Sequence, residues 1–374
     1  MKTGQPTTKL LVLLTACIVG LVIGVGGPGC GRPGHGFDPA DEAGAGAWEG
    51  ATDAGPDVAS DRRGTTGEIP IPKSCVGLPA TCGPKGNEDC CATILVPGGT
   101  YNRSNNGLSP ATVGDFWLDK YEITVGRFRK FVEAGGGTWA SAPAVGDGAH
   151  PWIVGSGWSS QWDTQLAKDA ASLRGGLSYC YLDGGHKPIG VYKTWTDAPG
   201  ENENRPMNCI DWHQAFAFCA WDGGWLPTEA EWNYAAAGGS EQRPYSWGSA
   251  EPGADVNLAV FGCYYPTGSG ECTGVENVAF VGSSPAGNGR WGHADLMGNL
   301  SEWVLDGSPD PTYVYPMPCN DCATLVNARY RICRGGSFDK SAPWLGSDGR
   351  YYPPCTNGYI RNDASVGARC GRTP

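Results

Sequence analysis

Sixteen cysteines stand in a chain that opens like an exported protein, and this pairing limits the fold more than any other feature. In a reducing compartment such usage would suggest metal or redox sites, whereas behind an export signal it predicts a disulfide framework. The signal is legible in Met1 to Lys9, with Lys2 and Lys9, followed by a 16-residue apolar run from Leu10 to Val25. That run is short for a spanning helix and sits where a signal h-region belongs. With 59 glycines and 29 prolines, regular elements should be few and loops many, while fifteen tryptophans and fifteen tyrosines supply large surfaces to bury. A formal charge of −11 argues against nucleic acid and anionic membrane surfaces as partners.

Two cysteines are candidates for lipidation. Cys17 follows Leu14-Thr15-Ala16, a box with small residues, but leaves a short h-region; Cys30 follows a full h-region, with Pro28 an unusual neighbour. Simple cleavage and an uncleaved anchor remain open beside a lipid anchor. If Cys17 leaves with the signal and Cys30 is acylated, fourteen cysteines remain, which permits up to seven disulfides. The expected location is extracytoplasmic, at the cell envelope.

Residues 1–30 are thus read as the signal, and 31–73 as a disordered tether rich in Gly, Ala and Asp that cannot bury enough apolar surface to offset its ordering entropy. A Cys-rich segment, 74–92, holds Cys75, Cys82, Cys90 and Cys91. Zinc is one reading of four thiols. A disulfide knot is favoured, with the adjacent Cys90 and Cys91 bonding to different partners.

The main domain is assigned to 93–374. Ile94 to Tyr101 reads as a short strand and a turn. One helix is predicted over Val125 to Ala134, capped by Thr124 and stopped by Gly135, with Val125, Phe128, Phe131 and Val132 on its apolar face. A second follows Asp211, which forms a capping-box pattern with Gln214, and should bury Ala215, Phe216, Cys219 and Ala220. A third follows Thr228, paired with Glu231. Further strands are expected at Phe116 to Leu118, Arg331 to Arg334 and Val366 to Cys370.

Several segments then resemble the formylglycine-generating enzyme, or sulfatase-modifying-factor, family. They are Val96-Pro-Gly-Gly-Thr100, Phe116-Trp-Leu-Asp-Lys-Tyr-Glu-Ile-Thr124, Arg205-Pro-Met-Asn-Cys-Ile-Asp-Trp212, Trp225-Leu-Pro-Thr-Glu-Ala-Glu-Trp-Asn-Tyr234, Asp295-Leu-Met-Gly-Asn-Leu-Ser-Glu-Trp303, Arg334-Gly-Gly-Ser-Phe338 and Gly367-Ala-Arg-Cys370. The resemblance implies an α+β fold of the irregular, loop-rich C-type-lectin-like kind, with few short helices and strands, stapled by disulfides.

It also implies sites. The family's structural calcium would be held here by the side chains of Asp295 and Glu302 and the carbonyls of Gly298 and Leu300; a second site would begin at Asn257 and Leu258. Hard oxygen donors suit that ion. The family's oxidases hold Cu(I) on a C-x4-C thiolate pair, and soft sulfur selects that metal. Counting from Arg334-Gly-Gly-Ser337, the pair falls on Leu345 and Arg350; counting back from Cys370 it falls near Ser341 and Gly346. No thiol stands at any of these positions, so copper is not expected. Cys355, the nearest thiol, has Cys333 or Cys370 as candidate partners.

The iron used by other relatives would need paired histidines, and the domain has only His150, His186, His213 and His293, with His213 read as a satisfied helix residue. Cys319 and Cys322 form a C-x-x-C placed in a loop by Pro316 and Pro318, and are expected to bond to other cysteines. Glu229, Glu231 and Glu302 read as caps or buried anchors. Two functions follow. The first is an exported, membrane-tethered, calcium-stabilised binding or envelope module without oxidase chemistry, with Trp344, Tyr351 and Tyr352 forming the binding groove for a protein, peptide or envelope ligand. The alternative is a divergent formylglycine-generating oxidase, or another metal-dependent oxidoreductase acting on protein cysteine.

Overall fold

Two small three-stranded sheets and four short α-helices carry the domain, and loops fill the remainder. The computed structural model describes residue 1 and residues 71–182, 187–188, 190–308, 314–325, 330–350 and 363–374. The signal with Cys17 and Cys30, nearly all of the tether, and His186, Tyr351, Tyr352 and Cys355 lie outside the described residues.

The first sheet is ordered β1–β4–β10, all antiparallel: β1 (Thr93–Val96), β4 (Phe116–Asp119) and β10 (Gly371–Arg372). Between its first two strands lies a hairpin of β2 (Gly99–Asn102) and β3 (Pro110–Val113). A short pair, β5 (Tyr181–Leu182) and β6 (Lys187–Pro188), follows later in the chain. The second sheet centres on β7 (Ser301–Ser308), antiparallel to β8 (Tyr330–Arg334) and parallel to β9 (Val366–Gly367). Every residue of β7 is buried, so its sequence lacks the alternation that marks a half-exposed strand. Of the strand expected over Val366 to Cys370 only Val366 and Gly367 form one, β9 of the second sheet, and β10 of the first sheet begins just beyond it at Gly371.

Helix α1 (Val125–Glu133) starts where Thr124 accepts the Arg127 amide, and its expected face is buried. Helix α2 (Ala170–Leu177), capped by Asp169, escaped the sequence reading. Helices α3 (Trp212–Trp221) and α4 (Glu229–Ala236) both begin with the capping boxes read from sequence. The expected burial on α3 holds for Ala215, Phe216 and Cys219, while Ala220 is only partly covered. Phe128, Phe131, Phe216 and Phe218 from α1 and α3 meet Trp212 and Trp303 in the main core.

Disulfides replace the regular structure that the loops lack. Cys75–Cys91 and Cys82–Cys90 close the N-terminal knot, so the vicinal pair does take different partners and the zinc reading is excluded. Cys180–Cys209 and Cys263–Cys272 staple loops. Cys219–Cys370 joins α3 to the end of the chain across 151 residues, which the chain-entropy model values at about 5 kcal/mol. One expectation is corrected: Cys319 and Cys322 bond to each other, because Asp321 takes a left-handed conformation (φ 44°) and brings the two Cα atoms to 5.2 Å. Cys370, held by Cys219, is not a partner for Cys355; Cys333 is itself disulfide-bonded.

Guanidinium–carboxylate networks pin these elements. In one, Arg127 bonds Asp119 and Asp222 at 2.8 Å each, Arg372 reaches Asp119 at 3.2 Å and Asp222 at 2.8 Å, and Ser74 donates its amide to Asp222. The knot, α1, α3, β4 and β10 therefore meet at two balanced charge pairs.

Candidate functional site

Arg334-Gly-Gly-Ser337 follows directly from β8, and Gly335 and Gly336 both take positive φ, which leads the chain into the segment where the family's copper ligands would stand. Leu345 occupies the first position, fully buried in a cluster with Trp232, Leu296 and Ile332. Arg350 occupies the second. Its Nε and Nη2 donate to the two carboxylate oxygens of Glu229 at 2.5 and 2.6 Å, and it lies 4.0 Å over the Tyr315 ring. Arg334 is fully buried beside the same carboxylate, with Nη1 3.6 Å from Glu229 Oε1. Glu229 sits at the start of α4, and its amide donates to Asp306 Oδ2 at 2.7 Å. Burial and the negative charge of Glu229 push Asp306 up to about 7. A hydrophobic side chain and an ion-paired cluster thus fill the place of a thiolate pair. Every described cysteine is in a disulfide.

Trp344, on a single turn of 3-10 helix at Ala342–Trp344, is 38 % exposed. The two tyrosines assigned with it are outside the described residues.

The calcium set comes together only in part. Asp295 is buried with φ 57°, and its Oδ2 accepts the Gly282 amide at 2.6 Å. Glu302 is turned toward Arg369: its oxygens accept Nε at 2.7 Å and Nη2 at 2.6 Å, and Oε2 also accepts Trp232 Nε1 at 2.8 Å. Arg369 gives its remaining donors to the carbonyls of Asp119, Lys120 and Ala294. Gly298 has φ 85° and packs against the backbone of Val260, where any Cβ would collide with the Val260 carbonyl at 2.5 Å.

Glu122 was not singled out by the sequence reading. Its carboxylate accepts the Leu300 amide at 3.0 Å and Asn299 Nδ2 at 2.8 Å. Three buried carboxylates therefore face one guanidinium. Burial, reinforced by Asp295 and Glu302, pushes Glu122 well above its usual range, and burial raises Asp295 to about 6. Among the described residues no three His, Cys, Asp or Glu side chains converge as a metal site. A cation here would rely on carbonyls of the Gly298–Leu300 turn beside the carboxylates, a donor set that suits calcium.

Asn257 is exposed and donates both its amide and its side-chain nitrogen to Asp255 Oδ1; Leu258 follows, its carbonyl against Gly287. The described histidines, His150, His213 and His293, occupy core positions. His150 contacts Glu231 at 3.0 Å, and His213 packs among Trp158, Trp162 and Trp212. Burial, followed by the Arg369 charge, lowers His293 to about 3, which keeps it neutral.

The fold and these motifs are those of the sulfatase-modifying-factor class, and a family model described as "Sulfatase-modifying factor enzyme 1-like domain" matches residues 79–371; the chain belongs to this family. It is 32 % identical over 230 residues to the formylglycine-generating enzyme of Streptomyces coelicolor, covering 60 % of this chain and 67 % of that enzyme. The hercynine oxygenase of Mycolicibacterium smegmatis is 27 % identical over 291 residues, which is 72 % of this chain and 57 % of that protein. The inactive C-alpha-formylglycine-generating enzyme 2 of Mus musculus is 38 % identical over 99 residues, which is 26 % of this chain and 31 % of that protein. Among solved structures, that of PvdO from Pseudomonas aeruginosa superposes with a TM-score of 0.48 at 19 % identity, covering 75 % of this chain and 94 % of the other. The family therefore holds enzymes of different chemistry and members named inactive.

Proposed function

We propose that the protein is an exported, membrane-tethered binding module of the cell envelope that keeps the family scaffold without its copper oxidase chemistry. The observation that carries this reading is the pair of residues at the copper positions: Leu345 belongs to the core and Arg350 is committed to Glu229. Neither offers a soft ligand, and the described cysteines are all bridged. The binding face is assigned around Trp344, with Tyr351 and Tyr352, for a protein, peptide or envelope ligand. Calcium is assigned to the Asp295 region as a structural ion. Its support is the charge imbalance of Glu122, Asp295 and Glu302 against Arg369, which a divalent cation would relieve.

Oxygen uptake measured with Cu(I) and a cysteine-containing peptide tests the chemistry. No turnover above a copper-only control is expected, and sustained turnover would establish the divergent oxidase. Metabolic labelling with a fatty acid tests the anchor: label lost in Cys30→Ser or Cys17→Ser identifies the acylated residue, and no label in the wild type refutes lipid tethering.

A further inference from the structure

Arg331 lies on β8, 4 % exposed; its guanidinium makes no ion pair among the described residues, and its buried Nε–H has no hydrogen-bond partner there. It is stacked 3.4 Å from the centre of the Trp212 ring and 5.5 Å from that of Trp162. The indole faces stabilise the cation but leave its in-plane Nε–H without a partner. A buried guanidinium without an anion is costly. Burial pulls Arg331 down to about 9, opposed only by the charge of Asp306. Of the other buried arginines, Arg127, Arg129, Arg334, Arg369 and Arg372 have carboxylates within 4 Å, and Arg103 donates to the carbonyls of Ser109 and Pro316 instead.

The guanidinium borders a cavity of about 210 Å³. Arg331, Trp212 and Leu305 are its buried lining; Gln161 and Leu325 are exposed lining residues, and Trp162 is half-buried. At about 30 Å³ per water the space holds roughly seven waters, small for a nucleotide and ample for a compact organic acid. Flat indole walls favour a planar apolar body, and a guanidinium fork matches a carboxylate in two parallel hydrogen bonds.

We propose that this cavity is a binding site for a small organic acid, with the carboxylate on Arg331 and an aromatic or flat apolar body against Trp162 and Trp212. The site goes beyond the module reading above, shares no residue with the surface around Trp344, and stands or falls independently of the tether and of calcium.

The full chain is titrated with benzoate and with neutral benzamide, followed by calorimetry and by quenching of the Trp162 and Trp212 fluorescence. Benzoate should bind saturably, and benzamide about ten- to a hundredfold more weakly, the value of a charge-assisted hydrogen-bonded pair. Arg331→Met should remove the difference between the two compounds. Should Arg331→Met fail to fold, Leu325→Trp decides: it fills the cavity from the exposed side, leaves Arg331 in place, and should abolish binding of benzoate. Equal binding of benzoate and benzamide, or benzoate binding retained in both variants, overturns the proposal. So does tighter binding of inorganic phosphate, which would make the site a general anion site. A tripeptide, Gly-Gly-Phe, that outcompetes benzoate and loses affinity on amidation would assign the acid to a polypeptide terminus and overturn the free-acid reading.

Discussion

Two of the buried charge clusters among the described residues are equally dry and opposite in state. Around Asp119 and Asp222 there are two carboxylates and two arginines. Burial alone would raise the Asp119 pKa, yet Arg127 and Arg372 hold it below the usual range. Around Arg369 there are three carboxylates and a single arginine, and there burial prevails: Asp295 rises to about 6 and Glu122 higher. Depth is the same in both, so what separates them is the count of positive charge. The balanced cluster is complete as a fastener between elements, and the unbalanced one carries excess negative charge.

The largest effect is expected in the balanced cluster. Asp222→Ala leaves Arg127 and Arg372 short of a partner and the Ser74 amide without its acceptor, and should cost about 3–5 kcal/mol in urea unfolding. A loss near 1 kcal/mol would mean that the cluster contributes little and that the contrast is false.

Asp295→Asn should act in the opposite sense when calcium is chelated. A carboxyl whose folded pKa is raised from 3.8 to about 6 favours the folded state while protonated, and that contribution is lost as pH rises from about 4 through 6, a matter of about 3 kcal/mol. The amide does not titrate, so the variant should lack this slope and be the more stable protein at pH 7. In the wild type, calcium at a hundredfold its Kd should add about 2.7 kcal/mol at pH 7, less below pH 6, and little in Asp295→Asn. Equal calcium stabilisation of both proteins at pH 7 would remove Asp295 from the site.

Arg350→Ala should cost less, about 1–3 kcal/mol, because Glu229 keeps Arg334 and the Asp306 contact. An intermediate loss places the Glu229 cluster between the two extremes; a gain in stability would show that it too carries excess charge. The smallest change is expected for Thr228→Ala, which removes an uncharged cap from α4 and should cost about 1 kcal/mol by thermal melting.

Local chemistry made the helices readable. Thr124, Asp211 and Thr228 cap where their spacing to Arg127, Gln214 and Glu231 requires. Helix α2 was hidden because Gly175 and Gly176 depress its propensity. Strand β7 was hidden because burial on both faces removes its period of two. The motif segments marked Asp295 and Glu302, but no local pattern says that Glu302 bonds Arg369, 67 residues away, or that Glu122 approaches Leu300 across 178. Arg331 was legible only as one residue of a strand. Its isolation depends on which side chains fail to reach it, and that is a property of the packed state.

The run Arg369-Cys370-Gly371-Arg372 occupies the interior like a keystone: Arg369 meets Glu302, Cys370 locks α3, Gly371 bridges Trp225, and Arg372 seats on Asp119 and Asp222. A nascent chain in which these four residues are still inside the ribosome has no arch to close. Completion of the fold must therefore await synthesis of this run, and until then Cys219 stands without the mate that lies 151 residues away.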